Sequence, residues 1–168
     1  MTEAVTEGIE EPVRARGGKY LTLALGDERY GIRILKVREI IGMVEVSTLP
    51  RMPDFVRGVI DLRGKIIPVV DLRRVFDMPP TESTRETCII VVDILGIAMG
   101  IVVDRVVEVA EITEEQIENT PTFGTRISAE FMLGIAKTER GVTILLDIDK
   151  ALTSQEIAQI SSVESVSA

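Results

Sequence analysis

Two stretches of this 168-residue sequence occur twice, in the same order, and this internal repeat constrains the fold more than any other feature. Residues 30–40 align without gaps with residues 99–109, and residues 58–76 align with residues 134–152. Chance similarity between apolar strand pairs is the alternative, but the recurrence of both segments in one order favours duplication. The matched positions include Gly31 with Gly100, Val37 with Val106, Glu39 with Glu108, Gly58 with Gly134 and Asp71 with Asp147.

Each copy of the repeat is predicted to be a small β unit. The chain is 45% hydrophobic but only 4% aromatic and has no Trp, so its core consists of Val, Ile and Leu. The β-branched members of that set favour strands. Each copy supplies about five short strands with a Gly or Pro near each corner, which is typical of a small closed barrel. The sequence therefore predicts a mainly β fold: two five-stranded β-barrel subdomains that share a core, with short helices.

The domain boundaries follow from where this pattern begins and ends. Residues 1–18 are charged, lack apolar periodicity and are predicted to be a disordered arm. The folded domain is predicted over 19–152, with its two halves at about 19–86 and 87–152. Residues 153–168 are predicted to be a C-terminal tail with one or two helical turns.

The composition argues against catalysis and against nucleic-acid binding. The chain has no histidine, which removes the most common general base and the most common transition-metal ligand. Its single cysteine, Cys88, excludes an intramolecular disulfide and a multi-cysteine metal site. The net charge of −8 disfavours contact with a phosphate backbone. For the same reasons of composition we expect a non-catalytic protein without a cofactor. Because the sequence shows neither a secretory signal nor an apolar run long enough to cross a bilayer, we also expect it to be cytoplasmic.

A doubled Asp-Leu-Arg triplet in the first copy raises a question of function. Asp71 and Asp147 are equivalent and both precede a predicted helical turn, so we interpret them as helix N-caps. Arg73 then falls on an exposed helical turn, and we expect it to be solvated. Arg63 aligns with Glu139, so the repeat does not explain it.

The motifs that carry the repeat resemble the CheW family, the coupling proteins of bacterial chemotaxis. The similarity rests on "YGIRILKVREI", "LPRMPDFVRGVIDLRGKIIPVVDLRRVF", "GIVVDRV" and "LGIAK" with "ILLDIDKAL", and it extends from about Lys19 to Leu152. Asp61 stands where the family usually has Asn. The resemblance implies two SH3-like β-barrel subdomains and no catalytic activity.

The resemblance also implies partners and binding residues. Proteins of this family bridge the cytoplasmic tips of transmembrane methyl-accepting chemoreceptors and the regulatory domain of the CheA histidine kinase, and they are recruited to membrane receptor arrays. Carried over residue by residue, receptor contact is implied at Val37, Glu39, Gly58 and Arg63. Kinase contact is implied at Gly100 and Gly134.

Other interpretations remain open at this point. Val37 fits a core position equally well and Gly58 fits a purely conformational requirement, since their repeat partners are of the same type. Glu39 also has a Glu counterpart, whereas Arg63 is the strongest candidate, and we predict an Arg63–Glu39 ion pair. For the whole protein, the alternatives are an adaptor of a non-flagellar chemosensory pathway and a ligand-sensing barrel with a small molecule in the groove between subdomains. The scarcity of aromatic residues disfavours the ligand-sensing alternative.

Overall fold

The computed structural model describes residues 17–118 and 131–152; most of the predicted arm, and the whole predicted tail, lie outside these ranges. The described chain contains eleven strands, two short α-helices and two 3-10 turns. In chain order these are β1 Gly18–Leu25, β2 Glu28–Arg33, a 3-10 turn Ile34–Lys36, β3 Val37–Gly42, β4 Val56–Leu62, β5 Lys65–Asp71, α1 Leu72–Val75, β6 Cys88–Ile94, β7 Ile97–Val103, β8 Arg105–Ile112, a 3-10 turn Glu114–Gln116, β9 Ile117–Glu118, β10 Met132–Thr138, β11 Gly141–Leu146 and α2 Ile148–Ala151.

The strands form two sheets, which confirms the predicted mainly β class with two subdomains. The five-stranded sheet has the order β3-β6-β7-β5-β4 and is built from one continuous part of the chain, 37–103. The six-stranded sheet has the order β8-β1-β2-β11-β10-β9 and combines 18–33 with 105–146. Its sixth strand, β9, has two residues, and its pairing of Glu118 with Ile135 corresponds to an isolated bridge of Ser47 with Val59 beside β4. Closure of each sheet into a barrel stays a prediction.

The sequence repeat is reproduced in the pairing of the strands. In the six-stranded sheet, β2 runs parallel to β11 with Gly31 opposite Leu145. In the five-stranded sheet, β7 runs parallel to β5 with Gly100 opposite Val69. Both pairs are equivalent under the alignment. The predicted helix caps are confirmed as well, because the Asp71 side chain accepts a hydrogen bond from the backbone N–H of Arg73, and Asp147 does the same for Lys150.

The sheets do not follow the predicted boundary between the halves at 86 and 87. Each sheet takes one hairpin from one copy of the repeat and its remaining strands from the other copy. The physical reason is that the chain crosses between sheets in the middle of each copy. It crosses at the 3-10 turn Ile34–Lys36 and again at Asp104, and Asp104 is the position that aligns with Leu35. The 86/87 boundary therefore describes the repeat in sequence and does not divide one sheet from the other.

The hydrophobic core lies in three places. The largest cluster draws on both sheets and includes the alternate residues Leu21, Leu23 and Leu25 of β1, all 2% exposed or less. Burying each such side chain stabilises the fold by ~1.5–3 kcal/mol. A smaller cluster lines each sheet by itself. In the five-stranded sheet it is Ile60, Ile67, Val69, Ile89, Val91, Ala98 and Val102, and in the six-stranded sheet it is Tyr20, Ile112, Ala136 and Leu145.

Candidate partner-binding surface

Arg63 lies at the tip of the β4–β5 hairpin, in a turn that leaves its side chain mostly exposed. The φ angles of Arg63 and Gly64 are 53° and 87°, and a two-residue type I′ turn requires positive values at both positions. The Asp61 carboxylate accepts a hydrogen bond from the Gly64 N–H at 2.8 Å, which fixes the turn. The Arg63 side chain is 69% exposed. The sequence thus places a non-glycine residue in a left-handed conformation and presents its guanidinium to solvent.

Arg63 and Glu39 form the predicted ion pair. One guanidinium nitrogen donates to Glu39 Oε1 at 3.4 Å and a second donates to Oε2, so the contact is two-pronged. The hydrogen bond to Glu39 raises the pKa of Arg63 above its usual value. Because Glu39 is on β3 and Arg63 follows β4, the pair joins the two edge strands of the five-stranded sheet. A single β-bridge between Ser47 and Val59 links the same two regions of the chain.

The remaining residues predicted to contact a receptor are less available. Val37 is half-buried, packs against the central core and lies opposite Val92. Gly58 is buried with φ of 145°, and a Cβ at this position would lie 2.1 Å from the backbone oxygen of Ser47. Close backbone packing therefore accounts for this glycine by itself. Receptor contact at Val37 and Gly58 stays a prediction.

The two glycines predicted to mark kinase contact are also buried. A Cβ on Gly100 would lie 2.8 Å from Ile89 Cγ2, in the middle of the five-stranded sheet. Gly134 has φ of 156° and sits at an irregularity in the pairing of β10 with β11. Both positions have a packing or conformational reason to be glycine. Any kinase contact there would involve the side chains around them, and this assignment stays a prediction.

The six-stranded sheet carries a second Arg–Glu pair that the alignment does not reveal. Arg140 lies 3.1 Å from Glu108, and Glu108 is the repeat counterpart of Glu39. The two hairpin turns are in the same register, so Arg63 and Gly64 align with Glu139 and Arg140. The arginine that pairs with the equivalent Glu therefore comes from the second turn position in this hairpin and from the first in the other. The inference that the repeat leaves Arg63 unexplained is therefore wrong at the level of contacts.

The expectation that Arg73 is a solvated surface charge is also wrong. Its side chain is only 13% exposed, and it donates to Asp104 Oδ1 at 2.9 Å and to Oδ2 at 2.6 Å. A third donor reaches the Pro79 carbonyl at 2.7 Å. Asp104 in turn accepts from the Gly26 N–H at 2.7 Å, and its pKa is lowered, chiefly by the hydrogen bond from Arg73. Arg73 thus ties α1 to the second crossing between sheets and to the β1–β2 turn.

A signal for this contact exists in the aligned repeats. Asp149 is the counterpart of Arg73, and it forms an ion pair with Lys36 at 2.6 Å, at the first crossing between sheets. An ion pair therefore lies at each crossing, and the acidic and basic partners are exchanged between the two. The aligned position carries Arg73 in one copy and Asp149 in the other, and residues of the opposite charge, Asp104 and Lys36, lie at the two crossings. This exchange of charge is the sequence pattern that would have predicted the Arg73–Asp104 contact.

The described residues contain neither a cluster of metal-ligating side chains nor an exposed thiol. Within 17–118 and 131–152 no three His, Cys, Asp or Glu side chains gather closely enough to hold a metal ion. Cys88 is buried, and this burial raises its thiol pKa and so disfavours the reactive thiolate. No described helix has the length and apolar character needed to cross a membrane.

Comparison with known proteins gives a consistent result. The CheW-like domain family matches residues 19–156. The chemotaxis protein CheW of Klebsiella aerogenes is 40% identical over 147 residues, covering 88% of this chain and 89% of the relative. CheW of Thermotoga maritima is 32% identical over 135 residues, covering 79% of this chain and 85% of the relative. The crystal structure of the scaffolding protein TtCheW from Thermoanaerobacter tengcongensis superposes with a TM-score of 0.76 at 36% identity, covering 83% of this chain and 95% of that one.

Proposed function

This chain belongs to the CheW family of chemotaxis scaffold proteins, and we propose that it couples the cytoplasmic tips of transmembrane chemoreceptors to the CheA histidine kinase without any catalytic step of its own. In this proposal the protein is cytoplasmic and joins receptor arrays through its partners. The family assignment covers the whole described domain, so the proposal concerns the complete fold and not one motif.

The observation that carries the proposal is the exposed Arg63–Glu39 pair at the tip of the β4–β5 hairpin. Its position on a defined turn gives the guanidinium one geometry before a partner arrives, which lowers the entropic cost of binding. Arginine is over-represented among the residues that dominate the binding energy of interfaces. Because the Arg63 side chain is mostly exposed, the fold itself has little need of it. We therefore assign receptor contact to the surface around Arg63 and Glu39.

Kinase contact is assigned to the outer faces and free edges of the sheets. The end strands of the five-stranded sheet are β3 and β4, and those of the six-stranded sheet are β8 and β9. On β4, the backbone of Val59 is already bonded to Ser47. Strand edges offer unpaired backbone groups to a partner. Equivalent apolar side chains are also exposed in the two sheets: Ile40 and Ile66 in one, Val109 and Val142 in the other. Such side chains can be buried when a partner docks.

Calorimetric titration of the full chain with the regulatory domain of its cognate CheA tests the kinase half of the proposal. We expect a saturable heat signal and a shared peak on a sizing column. Absence of both at tens of micromolar protein would refute coupling to the kinase. A double substitution Ile40→Ser and Ile66→Ser is compared with Val109→Ser and Val142→Ser, because the two pairs are repeat counterparts and report which sheet docks.

A further inference from the structure

The six-stranded sheet contains a polar cavity. Its volume is ≈ 260 Å³. Thr22 and Thr143, each 4% exposed, lie at its inner surface with Ala110 and Ile112. The remaining described residues that line it are Arg29, Glu108, Glu111, Gln116, Thr138, Glu139 and Arg140.

The repeat shows why this space exists. The counterparts of Thr22 and Thr143 in the five-stranded sheet are Val91 and Ile67, both in the apolar cluster of that sheet. Likewise, Ala110 replaces the bulkier Ile41, which packs against the same cluster. Arg29 stands in place of the buried Ala98. Smaller and more polar side chains at equivalent positions therefore leave open in one sheet a volume that isoleucine and valine fill in the other.

Two hydrogen-bond donors face this cavity without a partner in the described chain. The Thr22 hydroxyl is already engaged, since it donates to the Glu108 carbonyl at 2.8 Å and accepts from the Glu108 N–H at 3.2 Å. Within residues 17–118 and 131–152, neither the Thr143 hydroxyl nor the Arg29 guanidinium makes a side-chain hydrogen bond or ion pair. These two residues lie directly opposite each other in the parallel β2–β11 ladder.

The charged residues that line the cavity restrict the kind of ligand that it can bind. Arg140 is neutralised by Glu108 at 3.1 Å, which leaves Arg29 as the free cation among the described lining residues. Glu111 and Glu139 are exposed at the rim, so the entrance repels polyanions and acidic protein surfaces. A guanidinium beside a hydroxyl matches the two oxygens of a carboxylate. The small volume of the cavity limits the size of the group attached to that carboxylate.

We propose that this cavity binds a small monocarboxylate, with its carboxylate between the Arg29 guanidinium and the Thr143 hydroxyl. The proposal is independent of partner binding at Arg63, which lies on the other sheet. It also differs from a ligand in the groove between subdomains, because this cavity belongs to one sheet alone.

Titration of the full chain with sodium acetate and sodium propionate, against sodium chloride at equal ionic strength, tests the proposal by amide NMR. We expect saturable shifts at Arg29, Thr143 and their strand neighbours. Arg29→Gln should weaken binding by about tenfold or more, because it removes a charge-assisted contact. Arg33→Gln, also partly buried on β2 but outside the cavity, should bind like the parent.

The counterpart residue supplies a second variant. Thr143→Ile introduces the side chain that Ile67 has in the other sheet, so it should abolish binding and leave the melting temperature equal or higher. No acetate- or propionate-specific shift, or an equal affinity in Arg29→Gln, would overturn the proposal. Binding of a glutamate-containing peptide without binding of either free acid would overturn it too, because the occupant would then be a partner side chain.

Discussion

The two sheets of this protein are built from the same repeat, yet they treat their interiors and their hairpin tips differently. Strand order, the parallel pairing of one hairpin with the other copy and the aspartate helix caps recur in both. The five-stranded sheet fills its interior with Ile and Val and ends its β4–β5 hairpin in a tight Arg-Gly turn. The six-stranded sheet keeps a polar cavity. What recurs is common to both copies, and what differs is where we propose separate binding roles.

A second comparison concerns two arginines of the doubled triplet. Arg63 and Arg73 each form a two-pronged contact with a carboxylate, but the first side chain is 69% exposed and the second only 13%. The same chemistry therefore serves a surface in one case and the junction between sheets in the other. Each of the following variants separates a fold requirement from a surface feature.

The largest effect is expected at Gly58. In Gly58→Ala the new Cβ would meet the Ser47 backbone oxygen at 2.1 Å, and φ is 145°, so both space and conformation oppose it. We expect a loss of at least ~3 kcal/mol in the free energy of unfolding, measured by urea denaturation. Gly42→Ala is the control, because no atom lies within 4 Å of its Cβ position. Equal stability of the two variants would show that the backbone at Gly58 is not constrained.

The next effect separates the two arginines. Arg73→Met leaves Asp104 partly buried beside the Gly26 N–H alone, and we expect a loss of ~2 kcal/mol in the free energy of unfolding. Arg63→Met should change the thermal midpoint far less, because Arg63 is exposed. Thermal melts of both variants decide the point. An equal fall in the two midpoints would contradict the claim that the buried Arg73–Asp104 pair stabilises the fold more than the exposed Arg63–Glu39 pair.

Acid should remove the Arg73–Asp104 contribution. The folded-state pKa of Asp104 lies below the ~3.9 of an unfolded aspartate, so at acidic pH the unfolded chain binds more protons than the folded one. Stability is therefore lost as the pH falls from the unfolded-state pKa towards the folded-state pKa. The stability difference between the parent and Arg73→Met should therefore shrink from about pH 5 towards about pH 3. Urea midpoints at each pH measure it, and a difference that stays constant would contradict the assignment.

The smallest effect is expected at the hairpin turn. Asp61→Asn keeps an oxygen that can accept from the Gly64 N–H, so it should alter stability by no more than ~0.5 kcal/mol. Asp61→Ala removes that acceptor and should cost ~1 kcal/mol. Asp93→Ala should cost somewhat more, because Asp93 accepts from the Gly96 N–H at 2.8 Å in the β6–β7 turn and also from Arg38 at 2.8 Å. Urea denaturation of all three variants checks this order.

Local features of this fold could be predicted from the sequence, because they depend on neighbouring residues. The caps Asp71 and Asp147 and the alternation of Leu21, Leu23 and Leu25 are of this kind. The Arg63–Glu39 pair was predictable only through the family resemblance. The exchange of hairpins between copies was not, since an alignment does not say which copy a strand pairs with.

The features that were missed depend on contacts between distant positions. Arg73 meets Asp104 only because the chain crosses between sheets at Asp104. Arg140 pairs with Glu108 from the second position of its turn, whereas Arg63 pairs with Glu39 from the first, and the alignment alone does not show that the two arginines make the same contact. To predict the polar cavity, one must know that Thr22 and Thr143 line it in the six-stranded sheet. Their counterparts Val91 and Ile67 are in the apolar cluster of the five-stranded sheet.

The central claim, that the five-stranded sheet uses Arg63 for a partner and not for folding, is tested most directly with Arg63→Ala. Sedimentation with receptor-containing membranes is measured beside circular dichroism melts and calorimetric binding to the CheA regulatory domain. Arg140→Ala, in the corresponding Arg–Glu pair of the other sheet, is the control. We predict that Arg63→Ala melts like the parent and binds the kinase domain normally, while its affinity for receptor membranes falls by about tenfold or more and that of Arg140→Ala does not. Normal receptor binding by Arg63→Ala, or its unfolding, would contradict the account.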